Sequence, residues 1–206
     1  MEKTNHNINK IVSLVVVFCL FSLFVILAFC VLLRNGITLD YTLMNWIIND
    51  VRNDSLTPVM KIISAFGDIK CIIVVSIMAI IILKNKKDSL FIIINPITVY
   101  ALNLVVKTIF QRQRPLNQLV ESTGNSFPSA HAMLAIAFYG LIIYLIYQKM
   151  HNKYLKYSLI VLIIILINLT CFSRLYLGVH YFSDVLAGFS LALAYLIIFI
   201  RITYHH

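Results

Sequence analysis

Charge is scarce in this chain, and acidic charge is scarcest. Only 12% of its 206 residues are Asp, Glu, Lys or Arg, and only 8 are Asp or Glu. An ordinary soluble domain carries roughly 25% charged residues, so that class is excluded. The few carboxylates form no cluster along the chain that suits Mg²⁺. Cysteine is equally uninformative as a ligand. Cys19, Cys30, Cys71 and Cys171 lie in or beside apolar runs, without the paired spacing of a zinc site and with no sign of a disulfide framework. No internal repeat and no low-complexity linker divides the chain, which reads as one domain over 1–206.

Apolar residues take up the room that charge leaves, at 61% of the chain and a mean hydropathy of +0.91. Crossing a bilayer takes a run of about 20 such residues. Candidate spans fall at 11–33, 66–83, 89–106, 129–148, 157–173 and 182–200. The first follows Lys3 and Lys10, as a secretory signal would. It is longer than a signal core of about 7–15 residues and precedes no small-x-small cleavage site, so it reads as an uncleaved span. The second is the shortest without interruption, from Cys71 to Leu83, and is expected to start earlier with Lys70 reaching toward the interface. The third contains Asn95-Pro96, a predicted kink. The expected fold is therefore all-α, a six-transmembrane-helix bundle.

Six spans place both termini on one side. With the N-terminus cytoplasmic, the inner segments hold Lys3, Lys10, Lys84, Lys86, Lys87, Lys149, Lys153, Lys156 and Arg201 against Glu2 and Asp88. The outer segments hold eight basic residues against six acids. This is the positive-inside pattern of a multi-pass cell-membrane protein. It explains most of the formal charge of +9 as orientation, so a nucleic-acid partner is not expected. Between the first two spans, Leu39, Leu43, Trp46 and Ile47 recur at helical spacing with Asp40, Asn49 and Asp50 among them. That pattern predicts a short interfacial helix with Trp46 at the headgroups, or a helix packed on the bundle as a lid.

Three clusters of polar residues lie within 107–184, at span ends on the outer side. Lys107, six residues and then Arg114-Pro115 pair a point charge with a bidentate fork. The two can meet one anion if the helix ends between them. Arg112, beside them, fits a snorkelling side chain. Pro128-Ser129-Ala130-His131 follows Gly124-Asn125, so a turn opens a helix with Pro128 at its first position and free N–H groups for an anion. Ser129 either adds its hydroxyl to that anion or only caps the helix. Ser173-Arg174, five residues, His180, three residues and Asp184 form the third cluster. On a helix His180 and Asp184 would share a face, and a carboxylate there fixes the histidine tautomer. Alone, each cluster has a structural explanation. In this order and on one side, they point to gripping a phosphate, attacking it and protonating what leaves.

Together, Lys107-x6-Arg114-Pro115, Pro128-Ser129-Ala130-His131 and Ser173-Arg174-x5-His180-x3-Asp184 resemble the signature motifs of the type 2 phosphatidic acid phosphatase superfamily, in its membrane lipid-phosphatase branch. One position departs from the family's Pro-Ser-Gly-His: Ala130 keeps the backbone N–H but would fail if the site needed positive φ. The resemblance implies that His180 attacks phosphorus, Asp184 orients it, and His131 protonates the leaving oxygen and then activates water. Lys107, Arg114, Ser129, Ala130 and Arg174 would bind the phosphate oxygens. With no carboxylate cluster for Mg²⁺, no metal and no cofactor are expected; two histidines with opposite protonation needs predict a bell-shaped pH profile, and nothing demands an oligomer. The implied substrate is a lipid phosphate or diphosphate in the bilayer, met on the outer face. A compact chain rich in Ile, Lys and Asn suits an AT-rich bacterial genome, which favours undecaprenyl diphosphate, then phosphatidylglycerophosphate or phosphatidate. The superfamily's haloperoxidases are soluble and larger, against the hydropathy here. A lipid-phosphate or anion carrier would need the cations but neither His131 nor the His180–Asp184 pair.

Overall fold

A computed structural model describes residues 2–34, 36–83 and 85–204, with side chains from Lys10 onward. Lys84, counted among the inner charges, and the terminal histidines lie outside the described residues. Every regular element among them is helical. In chain order these are α1 (Glu2–Arg34), α2 (Thr38–Trp46) with a π-helical turn at Ile47–Val51, α3 (Leu56–Ala65) and α4 (Ile69–Ile82). Then follow α5 (Lys86–Phe110), α6 (Ala130–Lys149), α7 (Lys153–Tyr176) and α8 (Phe182–Tyr204).

Local chemistry sets the boundaries. The side chains of Asp68, Asn85 and Asn152 accept backbone N–H groups at the starts of α4, α5 and α7. Gln111 adopts φ 45° and stops α5 in a left-handed turn. Pro96 sits inside α5 without ending it. The hydroxyl of Tyr195 donates to the Asn95 carbonyl at 3.3 Å, and Thr98 bonds both Asn95 and Tyr195. A neighbouring helix thus meets the polar backbone that proline disturbs.

Five helices are long and apolar enough to cross a membrane: α1 from Lys10, α5, α6, α7 and α8. The sixth expected span, 66–83, is different. α3 and α4 meet at a 56° bend, the geometry of a broken span or of a re-entrant loop. Asp68 caps α4 at the bend, while Gly67 lies so close to α6 and α7 that a Cβ would stand 2.8 Å from Thr170 and 3.0 Å from the His131 Cβ. The break brings backbone to the polar end of the bundle, where a straight helix would have kept it away.

α6 is the central helix. Ala132 through Tyr139 are all buried, and it packs against α5, α7 and α8. The outer faces of the other helices are apolar and exposed, as Phe18 at 71% and Ile82 at 78% illustrate. Lipid, not water, suits such a surface. At one end of the bundle Lys149 pairs with Asp88, which also accepts from the Tyr204 hydroxyl at 3.0 Å. The end of α5, the starts of α6 and α8 and the end of α7 gather at the opposite end.

The helix expected between the first two spans is α2. It turns Asp40, Met44 and Ile47 into the protein and leaves Leu39 and Trp46 exposed. Both expected features are therefore present, an outward apolar edge and a face packed on the bundle. A polar residue leads the packed face.

Candidate active site

The residues of the three clusters converge because four helix ends do. Lys107 is in the last turn of α5. Past Gln111 the chain reverses, and the 111–129 loop is stitched down by Ser126 N–H to Arg112 carbonyl at 2.8 Å and Leu119 N–H to Leu177 carbonyl at 2.9 Å. Lys107 and Arg114 thereby line one cavity of about 320 Å³ with Ala130, His131, Arg174 and His180. Ile69, Leu104, Leu134 and Tyr100 also line it.

Each cation is held by uncharged partners that leave its charge unspent. Lys107 donates Nζ to the Asn125 carbonyl at 2.5 Å. Arg114 donates to the carbonyls of Gly124 at 2.9 Å, Val179 at 2.8 Å and Thr123 at 3.1 Å. Arg174 reaches back to the Ser64 hydroxyl. Three positive charges thus face one cavity without a carboxylate bonded to any of them in the described contacts, an arrangement suited to an anion. Among the described residues, no group of three or more His, Cys, Asp or Glu is placed to share a metal ion.

Ser129 is the N-cap of α6, which starts at Ala130, two residues beyond the expected Pro128. Its hydroxyl accepts from Ala132 N–H at 3.5 Å, and it is fully buried away from the cavity wall. The capping contact is thus present, and a direct part for the hydroxyl in anion binding remains a proposal. Ala130 opens the helix, and the one non-glycine residue with positive φ among the described residues is Gln111. The backbone at 130 therefore makes no demand for glycine.

His180 and Asp184 come together by a route other than the expected shared helical face. α8 begins at Phe182, so His180 precedes it. Asp184, in the first turn, accepts the Tyr181 N–H at 2.9 Å and points back at the imidazole. His180 Nδ1 is 3.5 Å from Asp184 Oδ2, with the ring only 1% exposed. Burial, and then the cations Arg174, Arg114 and Lys107, push the imidazole pKa well below its ordinary value.

Arg112 overturns its expected role as a snorkelling residue. Its side chain has no exposure, and it lies between two carboxylates: Nη1 donates to Asp184 Oδ1 at 2.6 Å, and Nη2 donates to Asp40 Oδ2 at 2.9 Å. The guanidinium also lies over the Tyr181 ring, 4.1 Å from its centre. Asp40 and Arg112 are thus parts of the site that the clusters did not contain. The sequence held one clue, a carboxylate among the apolar positions of an amphipathic helix.

The PAP2 superfamily model matches residues 88–206, which include all three clusters. Phosphatidylglycerophosphatase B of Bacillus subtilis (strain 168) is 39% identical over 97 residues. That match takes in 45% of this chain and spans 46% of the relative, about half its length. Among solved structures, a transmembrane PAP2-type phosphatidylglycerolphosphate phosphatase from Bacillus subtilis superposes with a TM-score of 0.81 at 28% identity, covering 90% of this chain and 94% of that one. Aquifex aeolicus LpxE superposes at 0.66 with 21% identity, over 80% of this chain and 96% of that one, and shares the fold. A helical membrane bundle, three motif clusters at one cavity and a family match across more than half the sequence lead to one conclusion: the chain belongs to the PAP2 superfamily.

Proposed function

We propose that this protein hydrolyses a lipid phosphate monoester or diphosphate at the membrane surface through a phosphohistidine on His180. One observation carries the reading: a single cavity is lined by three cations and two histidines together with the apolar side chains of Ile69, Leu104 and Leu134. A phosphate headgroup fits the first and the start of an acyl or isoprenoid chain fits the second.

In this mechanism Nε2 of His180 attacks phosphorus in line. The Nε2–P bond forms, the P–O bond to the lipid breaks, and its electron pair leaves on oxygen. His131 gives that oxygen a proton and then takes one from the water that cleaves the Nε2–P bond. Lys107, Arg114, Arg174 and the Ala130 N–H balance the charge on the equatorial oxygens, the part that metal ions play in many phosphoryl transfers. Asp184 sets the tautomer and steadies the positive ring. Ser129 supports this indirectly, by fixing the first turn of α6.

The names of the Bacillus subtilis relatives bring phosphatidylglycerophosphate to the front, beside undecaprenyl diphosphate. The charge distribution supports cytoplasmic termini and a site on the outer face. The test is phosphate release by the detergent-solubilised protein from phosphatidylglycerophosphate, phosphatidate and undecaprenyl diphosphate, each with excess EDTA. Release from at least one lipid with EDTA present is expected. Binding of these lipids without release would instead make the protein a carrier, and loss of release on chelation would remove the metal-free mechanism.

A further inference from the structure

Arg112 presents an electrostatic problem for the site. Asp184 is the carboxylate beside His180, while Lys107, Arg114, Arg174 and His131 also surround that ring. When Nε2 bonds to phosphorus, positive charge develops on the imidazole. Yet Arg112 holds Asp184 Oδ1 at 2.6 Å in a fully buried contact, where charges interact strongly. An arginine so placed would cancel the counter-charge that His180 needs.

Asp40 resolves this. It comes from α2, 72 residues before Arg112, and it too is fully buried. Its Oδ2 accepts from Arg112 Nη2 at 2.9 Å and from the Ser183 hydroxyl at 2.7 Å. Its Oδ1 accepts from the Ser183 N–H at 2.7 Å, and the Ile37 N–H closes the set at 3.1 Å. Gly36, at φ 137°, makes the room: a Cβ there would collide with the Arg112 guanidinium and the Asp40 carboxylate. The Asp40–Arg112–Asp184 chain carries one net negative charge, whereas Arg112–Asp184 alone carries none. Stability does not call for such a triad, since buried ion pairs are often replaceable by apolar residues without loss.

We infer that Asp40, on the short helix outside the three motif clusters, is a positioning residue that neutralises Arg112 and leaves the negative charge of Asp184 to His180. The inference rests on the reading of His180 as nucleophile. It makes the seating of α2 on the bundle a condition of turnover.

The experiment compares the parent with Asp40→Asn, Asp40→Asn combined with Arg112→Gln, and Asp184→Asn, each verified as folded by thermal unfolding in detergent. The readouts are kcat and KM on a lipid phosphate, and the affinity for orthovanadate, a pentacoordinate phosphate mimic whose binding needs no choice of lipid. For Asp40→Asn, kcat and vanadate affinity are expected to fall about tenfold or more with KM within about twofold, the size typical of outer positioning partners. Removing Arg112 as well should recover both well above the Asp184→Asn level, because Asp184 then stands uncancelled. A purely structural pair would show no such recovery. Asp40→Asn equal to the parent, or a double variant no better than Asp184→Asn, overturns the inference. If Asp40→Asn does not fold, the comparison of the double variant with Asp184→Asn decides alone. A parent that binds vanadate but releases phosphate from no lipid would refute the proposed function and leave this series readable.

Discussion

Nη1 of Arg114 lies 3.3 Å from Nε2 of His180. A guanidinium has no acceptor, so this nitrogen of the histidine is the one with the free electron pair. A neutral ring paired in this way carries its proton on Nδ1, which faces Asp184 Oδ2 across 3.5 Å without closing a hydrogen bond in the resting structure. The resting contact with Arg114 favours the tautomer that the proposed in-line attack requires, and it places a guanidinium beside the proposed attacking atom.

The two histidines should separate kinetically. His180→Gln removes the attacking nitrogen, and phosphate release should fall by about 10³-fold or more with no trapped phosphoprotein. His131→Gln should leave attack possible on a substrate with a good leaving group and slow the water step. Quenching in alkaline detergent, where the acid-labile N–P bond survives, should then find labelled phosphoprotein accumulating. Equal label on both variants would contradict the division of roles.

Arg114→Lys keeps the charge and loses the fork. Its guanidinium ties three carbonyls of the 111–129 loop and the 177–181 segment to His180, which one ammonium cannot match. The expected loss in kcat/KM is on the order of 100-fold. Steady-state assays decide this; a loss under about threefold would mean that charge alone suffices.

Ala130→Gly restores the residue usual in related motifs and should gain nothing. Position 130 is ordinary right-handed helix, so glycine answers no strain there. Activity is expected within about twofold of the parent, and stability lower by up to about 1 kcal/mol. A large rise in kcat would show that a methyl group crowds the phosphate.

His180 also predicts how stability depends on pH. Its folded value is depressed by burial and then by neighbouring cations, while in the unfolded chain it protonates near about 6.5. Below that pH the unfolded state takes up the extra proton. The contribution is therefore complete above about 6.5 and is lost as pH falls toward the folded value. Thermal unfolding midpoints in detergent should drop on acidification from about pH 8 to about pH 5, and drop less in His180→Gln. Parallel curves for the two proteins would place the acid sensitivity elsewhere. For the same reason the acid limb of the rate profile should lie below the ordinary histidine range.

Much of this protein is local and was therefore legible. Apolar run length decided five spans, since lipid requires about 20 residues whatever the neighbours do. The turn at Gly124-Asn125 and the Pro128-Ser129 pair signalled the start of α6 to within two residues. The motif order put Lys107, Arg114, His131, Arg174 and His180 at helix ends, and those ends meet at one cavity. What failed was long-range. Hydropathy does not report a 56° bend, which depends on α6 and α7 accepting the Gly67 backbone. Spacing suggested a shared helical face for His180 and Asp184, yet the start of α8 falls between them. Above all, a charge in a sequence shows its sign and not its partner. Whether Arg112 meets water, lipid headgroups or two carboxylates depends on where residues 72 positions away on either side are folded. The residues that line the candidate site were determined by sequence alone; the ion pairs behind its histidine were decided by tertiary structure, because only packing brings Asp40, Arg112 and Asp184 into one dry contact.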